Sequence, residues 1–135
     1  MQNLKEQICL HVNKSLENNQ YNQELSFCIP NETIRRIKGI LHFDMSEYTC
    51  IIKSNEIRHV KRRHPSDINF ICEIPEIIQH FYKVRKSITR DRKTGASLIS
   101  LEFYKKYNDK SIKLVKLKIY KDKRLELKTV FIEEQ

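Results

Sequence analysis

The apolar positions of this chain recur at helical spacing in its first part and alternate with polar positions in its last part. Residues 3 to 18 are predicted to form an amphipathic helix, because an apolar side chain falls on every fourth position. Two short segments, near residues 25–29 and 48–52, have the alternation or the β-branched composition of strands. Between them, Asn31 can open a second helix with one apolar face.

A basic helix follows the second of these strand segments. It should end at His64, because Pro65 disfavours helical geometry in the residue before it. Asp67 opens further helical turns, and Pro75 restarts them while the apolar face continues. After Phe81 the apolar period changes from helical to two, which indicates that the rest of the chain consists of strands.

Four strands are predicted in this last part, where alternating segments are separated by short polar turns. The segments lie near residues 84–89, 99–104, 114–119 and 125–132. Short turns join antiparallel neighbours, so these strands should form a meander. Because the helices precede the strands, the predicted class is α+β, with the helices packed on one face of an antiparallel, mostly meander sheet of four to five strands.

Length and charge narrow the class of protein. The chain has 135 residues, which suits a single domain with its own core. Its 26 lysines and arginines against 17 acidic residues give a net charge of +9, which favours an anionic partner such as nucleic acid. A general bias of the proteome toward lysine is the alternative explanation of that charge. Two glycines are too few for a P-loop or a Gly-rich dinucleotide loop.

The cysteines and the apolar runs predict the setting. The four cysteines are about twenty residues apart and form no CxxC pair, which argues against a zinc site. They are expected to be reduced, buried apolar residues in a cytoplasmic protein: Cys9, Cys28, Cys50 and Cys72. No apolar run has the length of a membrane helix, and the start lacks the apolar core of a signal peptide, so no membrane partner is expected.

Candidate chemistry is concentrated between Tyr48 and Pro65, where a β-branched run leads into the basic helix. Histidine can give and take protons near neutral pH, and the cations around it would attract a polyanion. At 100° per residue, His59 points away from the apolar side of the helix and shares a face with Arg63. His64 would swing back toward the apolar side or be redirected by the proline. The alternative is that both are ordinary histidines, one solvated and one near the core.

The predicted sheet supplies further cations and a hydroxyl that could contact phosphate. The cations on or beside its strands are Arg85, Lys105, Lys106, Lys116, Lys118 and Lys128. Thr129 follows the last of them in the final strand. The alternative is a solvated outer face for the cations and simple β-propensity for the threonine.

The order of these motifs resembles the barnase/EndoU/colicin/RelE-like superfamily of ribonucleases, in its phage and mobile-element toxin branch. Five segments carry the resemblance: the lead-in Phe43–Tyr48, the helix Ser54–Pro65 with H-hydrophobic-x-x-R-H, the helix Ile74–Ile78, the lysine-bearing strand Phe103–Lys106 and the terminal strand Leu127–Phe131. The resemblance runs from about Tyr21 to Ile132. No single motif is highly specific, and the resemblance rests on the ordered set.

The resemblance implies a metal-independent endoribonuclease, without cofactor or metal, in which a 2′-hydroxyl attacks the adjacent phosphorus. The implied catalytic residues are His59, His64, Lys105 or Lys106, and Thr129. The implied RNA- or phosphate-binding residues are Arg62, Arg63, Arg85, Lys116, Lys118 and Lys128. Barnase uses a glutamate as general base, and the two candidates here, Glu102 and Glu126, leave that role unassigned.

The resemblance also divides the chain and suggests partners. Residues 1–20 form an amphipathic helix outside it, and residues 21–135 form the nuclease domain. The implied substrate is transfer or messenger RNA, and a +9 toxin would be expected to meet an acidic immunity or antitoxin protein. A monomer in the cytoplasm of producer, host or target cell is expected. The alternatives are an inactive RNA-binding or phage structural module on the same scaffold and a DNA-binding helix-turn-helix, which the meander disfavours.

Overall fold

The computed structural model describes residues 3–133 and confirms the α+β class. The elements are α1 (Leu4–Glu17), β1 (Glu24–Cys28), α2 (Asn31–Leu41), β2 (Thr49–Lys53), α3 (Ser54–Arg63), a 3₁₀ segment (Pro65–Glu73), α4 (Ile74–Gln79), β3 (Lys83–Arg90), β4 (Ser97–Lys106), β5 (Ile112–Tyr120) and β6 (Arg124–Glu133). Residues 1, 2, 134 and 135, which the predicted boundaries 1–20 and 21–135 include, lie outside the described part.

The strands form one sheet in the order β1-β2-β6-β5-β4-β3. The four last strands make the predicted antiparallel meander. The first two strands join the same sheet through a parallel pairing of β2 with β6, so the sheet has six strands rather than four to five. Periodicity identifies a strand but not its neighbour, and here the neighbours are separated by most of the chain.

The helices cover one face of this sheet, which we call the covered face. Leu101, Phe103, Val115 and Leu117 of the sheet are buried there in one apolar cluster with residues of the helices. Helix α1 contributes Ile8 and Val12 to that same cluster. The opposite face, here the open face, has a small cluster that consists of strand residues alone within residues 3–133: Tyr104, Ile112, Leu114 and Phe131.

Helix α3 starts directly after β2 and is fixed there by polar contacts with α1. The buried Ser54 hydroxyl accepts hydrogen bonds from Ser15 Oγ (2.9 Å) and the Gln23 amide (3.1 Å). Arg58 donates to the carbonyl oxygens of Ser15 and Tyr21. Helix α3 ends at Arg63, as the following proline predicts. Its position relative to the sheet is therefore set by α1 at one end and by Pro65 at the other.

The four cysteines were predicted to be reduced and buried, and the structure differs from that prediction. Cys9 of α1 and Cys72 of the 3₁₀ segment form a disulfide. Cys28 is free and exposed, and Cys50 alone is free and buried. Equal spacing in sequence says nothing of which helices pack together, and the packing of α1 on the 3₁₀ segment brings this pair into contact. Disulfides are typical of oxidising compartments, so the cysteine pattern no longer supports a cytoplasmic setting.

Removal of the disulfide should destabilise the fold. The bond links residues 63 apart in sequence, and in the chain-entropy model a loop of that length is worth about 4 kcal/mol. We expect Cys9→Ser to lower the free energy of unfolding in urea by about 2–4 kcal/mol. Cys28→Ser is the matched control and should leave it unchanged. Equal unfolding curves for the oxidised and the reduced wild-type protein would contradict the prediction.

Candidate active site

A cavity of about 390 Å³ lies between α3 and the part of the sheet where the central strands β5 and β6 present their open-face residues. Its lining consists of Asn55, Glu56, His59, Arg62, Lys118, Tyr120, Glu126, Leu127 and Lys128. Four of the residues predicted from the sequence are thus brought together, namely His59, Arg62, Lys118 and Lys128. Side chains that are distant in sequence meet here because α3 packs beside β6.

The position of α3 follows from the length of β2. Strand β2 pairs with β6 only as far as Glu126, and the chain then turns into helix at Ser54. Helix α3 therefore lies beside the next residues of β6. Glu56, His59 and Arg62 are spaced three apart, so they form a stripe on one side of the helix, and that stripe lines the cavity.

Glu126 is the buried carboxylate of the cavity, with only 6% of its surface exposed. Lys53 Nζ lies 3.1 Å from one of its carboxylate oxygens, and Arg124 Nη1 lies 3.0 Å from the other. The two cations fix the orientation of the carboxylate at the wall opposite α3. Since Glu126 alternates with the core residues Leu125 and Leu127, its side chain faces the open side of the sheet.

Lys128 occupies a β-bulge. Leu127 pairs with Leu117, and Thr129 pairs with Lys116, so Lys128 is the extra residue that has no partner on β5. Such a bulge redirects a side chain and is often found beside an active site. Burial lowers the pKa of Lys128, and the nearby charges of Lys116 and Lys118 lower it further. The site is therefore electropositive, and a bound anion would reduce the repulsion among its lysine charges.

His64 and Thr129 lie next to the cavity rather than in its lining. His64 follows the last residue of α3, and its ring stacks on Phe131 with centroids 5.1 Å apart. Thr129 faces the open side opposite Lys116. The two histidines consequently have different surroundings, and His59 is the one that shares the cavity with the carboxylate and the lysines.

Three predicted residues lie elsewhere. Lys105 points to the covered face, where its Nζ lies 3.3 Å from Glu76 Oε1 of α4. Lys106 is exposed at the far end of β4. Arg85 is on the edge strand β3, with Nε 2.8 Å from Glu102 Oε1. Glu102, one of the two candidate bases, is thereby engaged away from the cavity. Neighbouring strand residues face opposite sides, so the two lysines of one strand could not share a site.

Sequence reasoning did not find Asn55 and Glu56, which line the cavity together with Tyr120. The signal for Glu56 was its spacing of three residues from His59 on a predicted helix. Tyr120 closes β5 immediately before a polar turn, and only the pairing of β5 with β6 shows that it approaches α3. The resemblance left Glu126 as one of two candidate bases, and only the packing of α3 beside β6 shows that His59 shares its cavity.

Within residues 3–133, no group of three or more histidine, cysteine, aspartate or glutamate side chains is arranged to hold a metal ion. No helix in that range has both the length and the apolar character that crossing a membrane requires.

Lys128→Gln separates stability from binding. The lowered pKa means that folding disfavours the charged form of Lys128. This charge therefore lowers the free energy of unfolding at pH values below the pKa of the lysine in the folded protein, and the effect is absent above its pKa in the unfolded chain. At pH 7 the variant should therefore melt at the same or a higher temperature than wild type while binding a nucleic-acid polyanion more weakly. Calorimetry and a filter-binding assay measure the two effects. A lower melting temperature at pH 7 would contradict the prediction.

Comparison with known proteins identifies a family for this chain. No curated protein and no solved structure matches the chain. The family model described as phage-Barnase-EndoU-ColicinE5/D-RelE like nuclease 3 matches residues 29–135, which include the whole lining of the cavity. The match begins after α1 and β1 and covers well over half of the sequence. The chain belongs to this family of nucleases.

Proposed function

We propose that the protein is a metal-independent endoribonuclease of the toxin kind. The observation that carries the proposal is the cavity in which His59 of α3 and Glu126 of β6 share a lining with Lys118 and Lys128. RNA cleavage by internal attack requires a base, an acid and cations around one phosphate. The cavity supplies these groups from elements held in place by α1 and by the sheet.

In the proposed reaction the 2′-oxygen forms a bond to phosphorus and the bond from phosphorus to the 5′-oxygen breaks. Glu126 takes the proton of the 2′-hydroxyl, and protonated His59 delivers a proton to the departing 5′-oxygen. Lys118 and Lys128 stabilise the negative charge of the phosphorane. The products are a 2′,3′-cyclic phosphate and a 5′-hydroxyl, so neither oxidant nor water enters this step.

The remaining predicted residues surround this centre. Arg62 and Arg63 hold phosphate on the α3 side, while Lys116 and Thr129 extend the phosphate-binding surface on the open face. His64, stacked on Phe131, bounds the cavity toward the far end of β6. In this scheme Lys105 serves the fold through its ion pair with Glu76 rather than the chemistry.

The biological setting proposed with this activity is a toxin that acts on transfer or messenger RNA in the cytoplasm of a target cell. The net charge of +9 supports RNA as the partner and favours an acidic protein as the inhibitor. The proposal treats the protein as a monomer.

The test is incubation of total RNA and of purified transfer RNA with the protein in excess EDTA. Discrete fragments that carry 2′,3′-cyclic phosphate ends would support the proposal. His59→Ala, purified in the same way, controls for a contaminating nuclease. Cleavage that EDTA abolishes would refute metal independence, and cleavage of DNA alone would refute the substrate.

A second candidate function is an RNA-binding module that does not cleave. The double ion pair of Glu126 favours it, since each of its carboxylate oxygens is already engaged by a cation, one by Lys53 and the other by Arg124. Intact RNA with a shifted band, and an affinity that falls steeply with salt, would support this function instead.

A further inference from the structure

The hairpin of β3 and β4 carries a concentration of positive charge that the cavity does not include. Between residues 83 and 96 the chain has six lysines and arginines and a single acidic residue, Asp91. Arg90, Arg92 and Lys93 at its end are all exposed. None of these three forms an ion pair within residues 3–133. We call these three residues the hairpin cations.

The turn that presents them is held by hydrogen bonds. The Asp91 amide donates to the Ala96 carbonyl (2.9 Å), and the Gly95 amide donates to the Asp91 carbonyl (2.8 Å). The Lys93 amide donates to the Asp91 carboxylate (2.9 Å). Gly95 has a φ of 71°, which a glycine adopts without strain. These hydrogen bonds define the geometry in which the turn presents the cations.

The strand register places this turn at the same end of the sheet as the cavity. Ser100 of β4 pairs with Lys118 of β5, and Lys118 pairs with Glu126 of β6. From Ser100 the strand runs back to Ser97, beside Arg90, and the turn lies beyond. The pKa of Asp91 is lowered chiefly by the Lys93 amide and also by the charge of Lys118, so the turn lies within electrostatic reach of a lysine in the cavity lining.

Between the cavity and β3, the open face of the sheet includes a row of two serines. Ser87 and Ser100 pair across β3 and β4 on the open face, in line with Lys118. Ser100 is 1% exposed, and its hydroxyl has no hydrogen-bond partner in the described part of the chain. From β6 to β3 the distance is three strand spacings, or about 14 Å, which about four stacked nucleotides would span.

We propose that Arg90, Arg92 and Lys93 bind the phosphate backbone of the substrate RNA a few nucleotides from the bond cleaved in the cavity, with the strand crossing the Ser87–Ser100 row. This inference rests on the proposed ribonuclease function. The unpaired, exposed cations match the charge of a phosphate backbone, and the half-buried Ser87 side chain lies on the route between them and the cavity. A substrate confined to the cavity would not reach the hairpin.

The test compares a dinucleotide substrate with a 20-nucleotide RNA. The hairpin variant is Arg90→Gln/Arg92→Gln/Lys93→Gln. The control variant, Lys5→Gln/Lys14→Gln/Lys38→Gln, removes the same charge from exposed positions on α1 and α2. The hairpin variant can no longer neutralise three phosphates. The slope of the logarithm of its binding constant against the logarithm of the salt concentration should therefore be smaller in magnitude by roughly 2. Its binding of the long RNA should weaken roughly 50-fold at 0.15 M salt.

We expect the hairpin variant to cleave the dinucleotide as wild type does and to lose affinity for the long RNA, while the control variant retains both. If the hairpin variant lost activity equally on both substrates, or kept wild-type affinity for the long RNA, the proposal would be overturned. The hairpin cations would then be assigned to the binding of an acidic protein partner. Binding is measured in the His59→Ala background. If wild type proves inactive, the proposed function fails, and these binding data still decide whether the hairpin contacts RNA.

Discussion

His59→Ala should slow RNA cleavage roughly 10²- to 10⁴-fold, the usual contribution of a positioned acid or base. The His59 side chain lines the cavity and makes no hydrogen bond within residues 3–133, so its removal leaves no buried group unpaired. Alanine is also the most favourable residue in a helix interior. The loss should therefore be one of chemistry and not of folding. Single-turnover cleavage in EDTA measures the rate, and thermal melting confirms the fold.

Two other histidines calibrate this effect. His80→Ala, at an exposed position after α4, should cleave like wild type. His64→Ala removes the stack on Phe131 and should have an intermediate effect, because His64 adjoins the cavity without lining it. RNA affinity should be retained in His59→Ala. A near-normal rate in that variant, with a large loss in His64→Ala, would exchange the roles of the two residues.

The sequence predicted those features that depend on local chemistry. The position of α3 between a β-branched strand and Pro65 was predictable because a proline restricts the residue before it. The alternating segments were predictable because one side of each strand faces the core. His59 could be selected as a candidate since its helical angle separates it from Ile57 and Val60, both of which are fully buried.

Features that depend on pairing between distant strands could not be predicted in the same way. The resemblance placed a catalytic lysine at Lys105 or Lys106, but the structure turns Lys105 toward α4 and leaves Lys106 at the far end of β4. The bulge at Lys128 arises from a mismatch between β5 and β6 that neither strand shows alone. The choice between Glu102 and Glu126 likewise required the parallel β2–β6 pairing, which places α3 beside Glu126.

Glu126→Gln should also reduce cleavage roughly 10²- to 10⁴-fold, because an amide cannot take the proton of the 2′-hydroxyl. Glutamine preserves the shape of the side chain. The Lys53 and Arg124 side chains lose an ion pair, but they are 38% and 34% exposed, so water can solvate them and the fold should be kept. Thermal melting checks the fold, and single-turnover rates from pH 4 to 9, about the span of a bell-shaped profile, measure the chemistry.

The pH profile separates a base from a residue that only positions others. If Glu126 is the base, the wild-type rate falls at low pH and this fall is absent in Glu126→Gln. If Glu126 only orients Lys53 and Arg124, the variant keeps the low-pH fall at a uniformly lower rate. Glu56→Gln is the matched control, since Glu56 lines the same cavity without ion pairs within residues 3–133. A large loss in Glu56→Gln, together with normal cleavage by Glu126→Gln, would move the base from the sheet to α3.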